Sequence, residues 1–397
     1  MKLRYKLILP AFFLFARIVM IISMPIEGIR GYGDYWNYLR IAESGWPYIN
    51  TWVEFPPIFP WIARILYLIS PNQHGFEYLL AILFSLVQAG SLYLFMRLTE
   101  KIIRDTNTRI AVDTIYAMIT LVLPYGWWTF DCLTILFIML ALVAFFDEND
   151  LLFGIAVALG ILTKLFPALL LVLPFRYYPF RRMIKIIGIA GGIVLGVYLT
   201  FGTISSKMTI ASVTSQFIKG SWETPWALID GNFQTGNFSS QIDHSVPETA
   251  SISTGNPSAI SPWVTLAIFL GIGYLVFRTY DPLDKENSIS LLGITFCLFF
   301  LWSPGWSPQW SLYFLPLFLL GLPFGSAVLV SCVFILINLL EWPMLLSRGM
   351  FTMLPLTIGL RTILFILIAL LFWQNRSKPE QISSPGSSPD IHGVYIE

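Results

Sequence analysis

A few ionisable side chains stand where acid–base or anion-binding chemistry could be done. Asp34 sits in Gly31-Tyr-Gly-Asp-Tyr-Trp36, just after the first long apolar segment. The stretch 31–57 around it is crowded with aromatics, glycines and prolines, and also holds Glu43 and Glu54. Trp and Tyr settle at the membrane–water boundary, where an apolar ring and a polar edge are both satisfied. The stretch therefore reads as a segment lying on a bilayer surface with carboxylates at headgroup depth. Asp34 could cap a surface helix starting at Tyr35, and a carboxylate beside a dry cavity could also take a proton from a hydroxyl. The two roles are compatible.

Other candidates follow along the chain. Glu54 precedes Phe55-Pro56-Pro57, which forces an extended lead into the next helix; it suits an ion pair with Arg30 or Arg64, or a sugar contact. Asp131 opens an apolar helix and could cap it or hydrogen-bond an acceptor. Lys164 lies inside an apolar run broken by Pro167. An intramembrane lysine costs about 2.5–3.5 kcal/mol, and such residues usually face a cavity. Its ammonium could meet a phosphate, or pair with Asp131 or Glu341. Arg348 and Arg361 are further phosphate candidates, and Arg361 could instead neutralise Glu341. In 302–310, Trp-Ser-Pro-Gly-Trp-Ser-Pro-Gln-Trp, Trp306 and Trp310 offer stacking faces and Gln309 an amide, which suits carbohydrate.

The elements that must hold these groups are membrane helices. The chain has 397 residues, 56% hydrophobic and 12% charged, too few polar side chains to cover a water-soluble surface. A net charge of +1 without a basic run argues against nucleic acid. Cys132, Cys297 and Cys332 lie in apolar runs without metal-ligand spacing, so neither zinc nor a disulfide is expected. The first apolar run has no small-residue cleavage site after it and reads as a retained helix.

Apolar segments fall near 7–26, 77–99, 110–127, 131–146, 151–175, 184–203, 263–278, 288–302, 309–323, 325–345 and 353–373. The run 151–175 reads as two half-helices in a broken hairpin that starts and ends on one side, giving about 12 segments. An all-α polytopic membrane protein is expected, with residues 1–376 as its membrane domain. The positive-inside rule then puts Lys6, Arg97, Lys101, Arg104, Arg182, Lys185, Lys285 and Arg376 in the cytoplasm with both termini, and the candidate site on the outer face. Within the first outer loop, 27–76, residues 58–70 read as an interfacial or re-entrant helix. The outer loop 204–262 has Trp222, Trp226 and Phe233 to pack with in its first half, while its second half reads as mobile. The tail 377–397 has a disordered, cytoplasmic composition.

Taken in order, the aromatic first loop with Asp34 and Phe55-Pro56-Pro57, the Lys164-Leu-Phe-Pro167 of the broken helix and the Ser307-Pro-Gln-Trp310 before the tenth segment form a pattern. It resembles the GT-C superfamily of integral membrane glycosyltransferases, in particular the polyprenyl-phosphate-mannose-dependent mannosyltransferases, and is glycosyltransferase family 87-like across nearly all of 1–376. The resemblance implies a GT-C fold and a hexose, most simply mannose, carried on an isoprenoid phosphate. It implies transfer with inversion to a lipid-linked or glycan acceptor, in glycolipid biosynthesis at a prokaryotic cell membrane rather than the endoplasmic reticulum. Asp34 is the implied base and Lys164 the implied donor-phosphate ligand, while Arg348 and Arg361 stay phosphate candidates from their position alone. Asp131, Glu54, Trp306, Gln309, Trp310 and Tyr35 are the expected sugar or acceptor contacts. Related enzymes often show Tyr-Pro-Pro at 55–57 and a Gly-Gln-like pair at 130–131, so acceptor and sugar stay open.

A phosphate leaving group needs charge stabilisation rather than an acid, so one base and one or two cations suffice. No Asp-x-Asp pair accompanies Asp34 in the first loop, and neither a metal nor another cofactor is expected. Two other classes fit less of the pattern. A secondary transporter explains the helices and the buried lysine but not the aromatic loop. An O-antigen ligase or polymerase calls for essential Arg and His in the outer loop, which offers only His244 with Lys207 and Lys219.

Overall fold

The computed structural model describes residues 3–25, 34–236, 238 and 242–376. Residues 26–33, with Arg30 and the glycines before Asp34, and the tail 377–397 lie outside the described residues. Those described are helical, and their β-pairing is confined to isolated bridges. Helices cover each apolar segment read from the sequence. Five are long and apolar enough to cross a bilayer by length and composition: Tyr5–Ser23, Gln73–Ile102, Phe180–Ile204, Phe324–Arg348 and Phe351–Gln374. Others, such as Asp131–Phe146 and Pro262–Arg278, fall short of the roughly 20 residues a full span takes. Large apolar side chains stay exposed around the bundle, among them Phe12, Leu199, Trp263, Leu275 and Leu367. Such a belt is stable only against lipid.

The hairpin is short and tight. Asp150–Ile161 rises to a tip at 163–165, and a 3₁₀ turn, Phe166–Leu171, continues into Val172–Tyr177 on the way back. Its feet meet: Arg182 Nε donates to Asp150 Oδ1 at 2.6 Å, and Tyr178 OH donates to the Phe145 carbonyl at 3.1 Å. Gly160 permits the close return, since a Cβ there would lie 2.7 Å from the Pro167 Cβ. The hairpin therefore starts and ends at one end of the bundle and lifts Lys164 to the other.

The foot end gathers cations with carboxylates. Lys6 pairs with Glu100 at 2.5 Å and Arg97 with Asp147 at 3.0 Å, Lys101 also binds Asp147, and Lys285 binds Glu148. Arg17, inside the first helix, is fully buried; its Nη2 donates to Gln88 Oε1 and the Thr120 carbonyl, each at 2.7 Å.

The opposite end is roofed by the first loop and by loop 204–262. Tyr35–Glu43 and the amphipathic Ile58–Ile69 pack together, with Arg64 donating to the Ala42 carbonyl at 2.7 Å. The Ile58 N–H donates to the Leu162 carbonyl at 3.0 Å, tying this layer to the hairpin tip. Loop 204–262 folds into Ser206–Ser215, Pro225–Asp230 and a 3₁₀ turn, Pro247–Ser251. Its second half, which by composition reads as mobile, is pinned. Trp52 and His244 stack with centroids 4.0 Å apart, the Trp52 N–H donates to the His244 carbonyl at 2.9 Å, and the Asn256 N–H donates to Asn232 Oδ1 at 2.7 Å. A small apolar cluster of Trp52, Ala211, Phe238 and Ala250 adds to these contacts in holding a largely polar segment.

Candidate active site

Beneath that roof lies a cavity of about 310 Å³. The first loop brings Asp34, Glu54 and Phe55 to its wall, and the hairpin tip brings Lys164. The large loop adds Lys219, Trp222 and Glu223; the Ser-Pro turns add Ser307, Gln309 and Trp310; and the broken helix near 342 adds Trp342.

Asp34 occupies the N-cap position of Tyr35–Glu43, yet its side chain makes no capping hydrogen bond. Its carboxylate is thus spared for the cavity. Burial pushes its pKa up to about 6; Lys164 opposes the rise, Glu54 and Asp131 add to it, and Lys219 opposes it. A carboxylate of that basicity is ionised at neutral pH and better matched to proton abstraction than an ordinary one.

Lys164 is held from behind. Its Nζ lies 2.7 Å from Asp131 Oδ1, which also accepts from the Tyr313 hydroxyl. The lysine side chain retains 13% exposure and the aspartate 1%, so the ammonium fronts the carboxylate toward the cavity. Phe130 and Trp310 flank it, with ring centroids 4.8 and 5.3 Å from Nζ. Asp131 opens the helix Asp131–Phe146, whose N-terminal dipole favours a negative charge. Its oxygen is occupied by lysine and tyrosine, and Asp131 is a buried partner rather than a wall residue. Glu54 does line the cavity, but its ion-pair partner is Lys219, since Arg64 is taken by the Ala42 carbonyl.

Other expected contacts sit elsewhere. Arg361 is buried and walled off, with Nη1 2.5 Å from Glu341 Oε2 and Nη2 donating to the Glu223 carbonyl. That leaves its guanidinium without a face for a phosphate. Arg348 is exposed, at a turn completed by Gly349 at φ +68°, and does not line the cavity. Trp306 is a core residue: its Nε1 donates to Asn338 Oδ1 at 3.0 Å and its ring packs edge-on to Phe365 at 5.2 Å. Tyr35 is buried, with its hydroxyl donating to the Gln73 carbonyl at 3.3 Å. Gln309 and Trp310 do reach the cavity, and the Trp310 Nε1–H is buried without an acceptor.

Lys219, Trp222, Glu223, Tyr313 and Trp342 were not singled out as site residues from sequence. A lysine and a glutamate flanking a tryptophan in an otherwise uncharged stretch, Lys-Gly-Ser-Trp-Glu, were the available signal for the first three. Tyr313 sits in an aromatic-rich run and Trp342 in an aliphatic one, and neither carries such a signal. Among the described residues no group of three or more His, Cys, Asp or Glu is arranged to hold a metal ion.

A family model described as Glycosyltransferase family 87 matches residues 52–304, more than half of the chain. No curated protein matches it.

Proposed function

The chain belongs to glycosyltransferase family 87, and we propose that it moves a hexose, most simply mannose, from a polyprenyl-phosphate donor to a hydroxyl of a lipid-linked or glycan acceptor. The observation that carries this reading is the shared cavity: Asp34, uncapped, and Lys164, fronting its carboxylate, open onto one chamber.

In this mechanism the Asp34 carboxylate removes the proton of the acceptor hydroxyl. The acceptor oxygen attacks the anomeric carbon from the face opposite the phosphate, and a new glycosidic C–O bond forms with inversion. The anomeric C–O bond to phosphate breaks, and its electron pair leaves with the polyprenyl phosphate. The ammonium groups of Lys164 and Lys219 stabilise that charge in a site shielded from bulk water, where fixed charges act strongly. The residues present supply a base and two cations, enough for this displacement without a further cofactor.

A lipid-linked donor is supported by a second, almost wholly apolar groove of about 550 Å³. The descending arm of the hairpin lines it with Leu171 and Phe175, the helix Pro262–Arg278 with Leu270 and Tyr274, and the helix Ser288–Trp302 with Leu298 and Trp302. The Phe166 ring joins the two sites, 5.6 Å from Phe299 in the groove and 4.6 Å from Trp310 in the cavity. One hairpin thus offers a cation at its tip and an apolar flank below, matching a phosphate and its isoprenoid tail. The basic foot end favours a cytoplasmic location, which would set the cavity on the outer face of a cell membrane.

The test is to incubate the protein in membranes with radiolabelled polyprenyl-phosphate sugars and follow lipid-extractable product. Transfer from one donor, abolished by Asp34→Asn in a folded protein, is expected. Solute uptake without product, or substantial turnover by the variant, would remove the assignment.

A further inference from the structure

One cluster on the cavity wall is left unused by this mechanism. Glu223, in the large loop, lines the cavity and is 3% exposed. Its backbone sits at φ +53°, a left-handed conformation that a non-glycine residue holds only when its surroundings impose it. Here the imposition is visible: Arg361 Nη2 takes the Glu223 carbonyl while Nη1 binds Glu341. The Glu341 carboxyl is also an electrostatic neighbour of the Glu223 carboxyl. Oε2 of Glu223 and Oε1 of Glu341 are buried and receive no donor from any other group.

Two buried carboxyls are thus served by one guanidinium, each with an undonated oxygen. Burial first, and Glu341 second, push Glu223 well above the usual carboxylate range, with Arg361 opposing and Asp34 adding to the rise. Tyr125 also faces the pair, its ring stacked on Trp342 at 5.4 Å. Glu54 on the same wall is paired with Lys219, Asp34 is set between cations, and Glu223 is not a competing base.

The cluster is also oriented opposite to the hairpin tip. There a cation stands in front and its carboxylate behind; here the carboxyl stands in front and the cation is sealed away. An anion is poorly served by such a wall, whereas a hydroxyl finds an acceptor oxygen, with the Trp222 and Trp342 rings beside it for apolar C–H faces. We propose that Glu223, anchored by Arg361, is the hydroxyl-binding residue for the acceptor, on the wall that does not take the donor phosphate. The inference rests on the glycosyl-transfer reading above and deepens it.

Two measurements test it without turnover. In the purified full chain at neutral pH, infrared spectroscopy should show a protonated-carboxyl band that survives Asp34→Asn and disappears in Glu223→Gln. Its absence from the parent protein, or its persistence in Glu223→Gln, would overturn a protonated Glu223 on this wall. Binding of octyl mannoside as a hydroxyl probe, and of geranylgeranyl phosphate as an anionic one, can be followed by tryptophan fluorescence. Glu223→Ala, no more strained at that φ than glutamate, should weaken octyl mannoside about tenfold, the loss of one well-placed hydrogen bond. Glu223→Gln, which keeps an acceptor oxygen, should weaken it less than threefold, and neither should alter geranylgeranyl phosphate. Unchanged or undetectable octyl mannoside binding, or a shift in the anionic probe instead, would refute the hydroxyl role. A parent protein inactive with every donor would remove the transferase chemistry yet leave both measurements readable.

Discussion

The hairpin tip and the Glu341 cluster are built from the same groups in reversed order. At the tip, Lys164 faces the cavity and Asp131 is buried behind it with Tyr313. At the cluster, Glu223 faces the cavity and Arg361 is buried behind it with Glu341. In both, the buried ion has an opposite charge beside it, so that neither site holds a lone charge in a low-dielectric setting, which is costly. The reversal teaches that a membrane-embedded cavity can be polarised with little net charge, one wall suited to an anion and the other to hydroxyls. Asp34, which feels Lys164, Glu54, Asp131 and Lys219, and which Glu223 feels in turn, lies electrostatically between them.

The sharpest way to break this comparison is at Asp34. Asp34→Asn should lower kcat/KM about 10²–10⁴-fold, the usual worth of a general base. The parent enzyme should lose activity as pH falls through about 6, where Asp34 takes up a proton. Stability should move the other way. A carboxyl raised in the folded state favours folding while protonated, so its stabilisation is present at low pH and is lost as pH rises through about 6. Asp34→Asn should therefore melt at the same or a higher temperature at neutral pH. A clearly lower Tm would show the carboxylate holding the fold instead.

The next test separates phosphate binding from pairing. Lys164→Met should raise the donor KM roughly ten- to a hundredfold, as loss of a charged hydrogen bond implies, and lower Tm because Asp131 is left buried without its cation. Adding Asp131→Asn should restore most of the Tm and none of the donor affinity. If donor KM recovers along with Tm, Lys164 is a structural ion and the anion wall lies at Lys219.

These pairings mark the limit of what the sequence discloses. The helices were legible because apolar runs of sufficient length have few alternatives, and the hairpin because Lys164 and Pro167 interrupt one. The matched family agrees with the glycosyltransferase reading, and its match spans Phe55-Pro56-Pro57 and Lys164-Leu-Phe-Pro167 but neither Asp34 nor Ser307-Pro-Gln-Trp310. What stayed hidden was facing. Trp306 and Trp310, four residues apart, look alike in sequence, yet one joins the Phe314–Phe334–Phe365 core and the other the cavity. Glu54 finds Lys219, not the nearby Arg64, because the large loop folds back over the first one, and loop closure over such distances leaves no local pattern. Arg17 gave no sign either: a lone arginine in the first helix gains meaning only from Gln88 and Thr120.

The mildest perturbation concerns the scaffold under the anion wall. Gly160 lies one turn below Lys164, where the rising and returning arms meet, and an added methyl would press on the Pro167 side chain at 2.7 Å. Proline cannot swing away, so the arms must separate by a few tenths of an ångström. Gly160→Ala should cost about 1–3 kcal/mol through overpacking, partly offset by alanine's better helix propensity of about 1 kcal/mol. The expected result is a small fall in Tm with a rise in donor KM and an unchanged affinity for the octyl mannoside probe. Equal weakening of donor and hydroxyl probe would mean that the two walls move as one body, and that their opposed polarity is set by the whole roof and not by the hairpin alone.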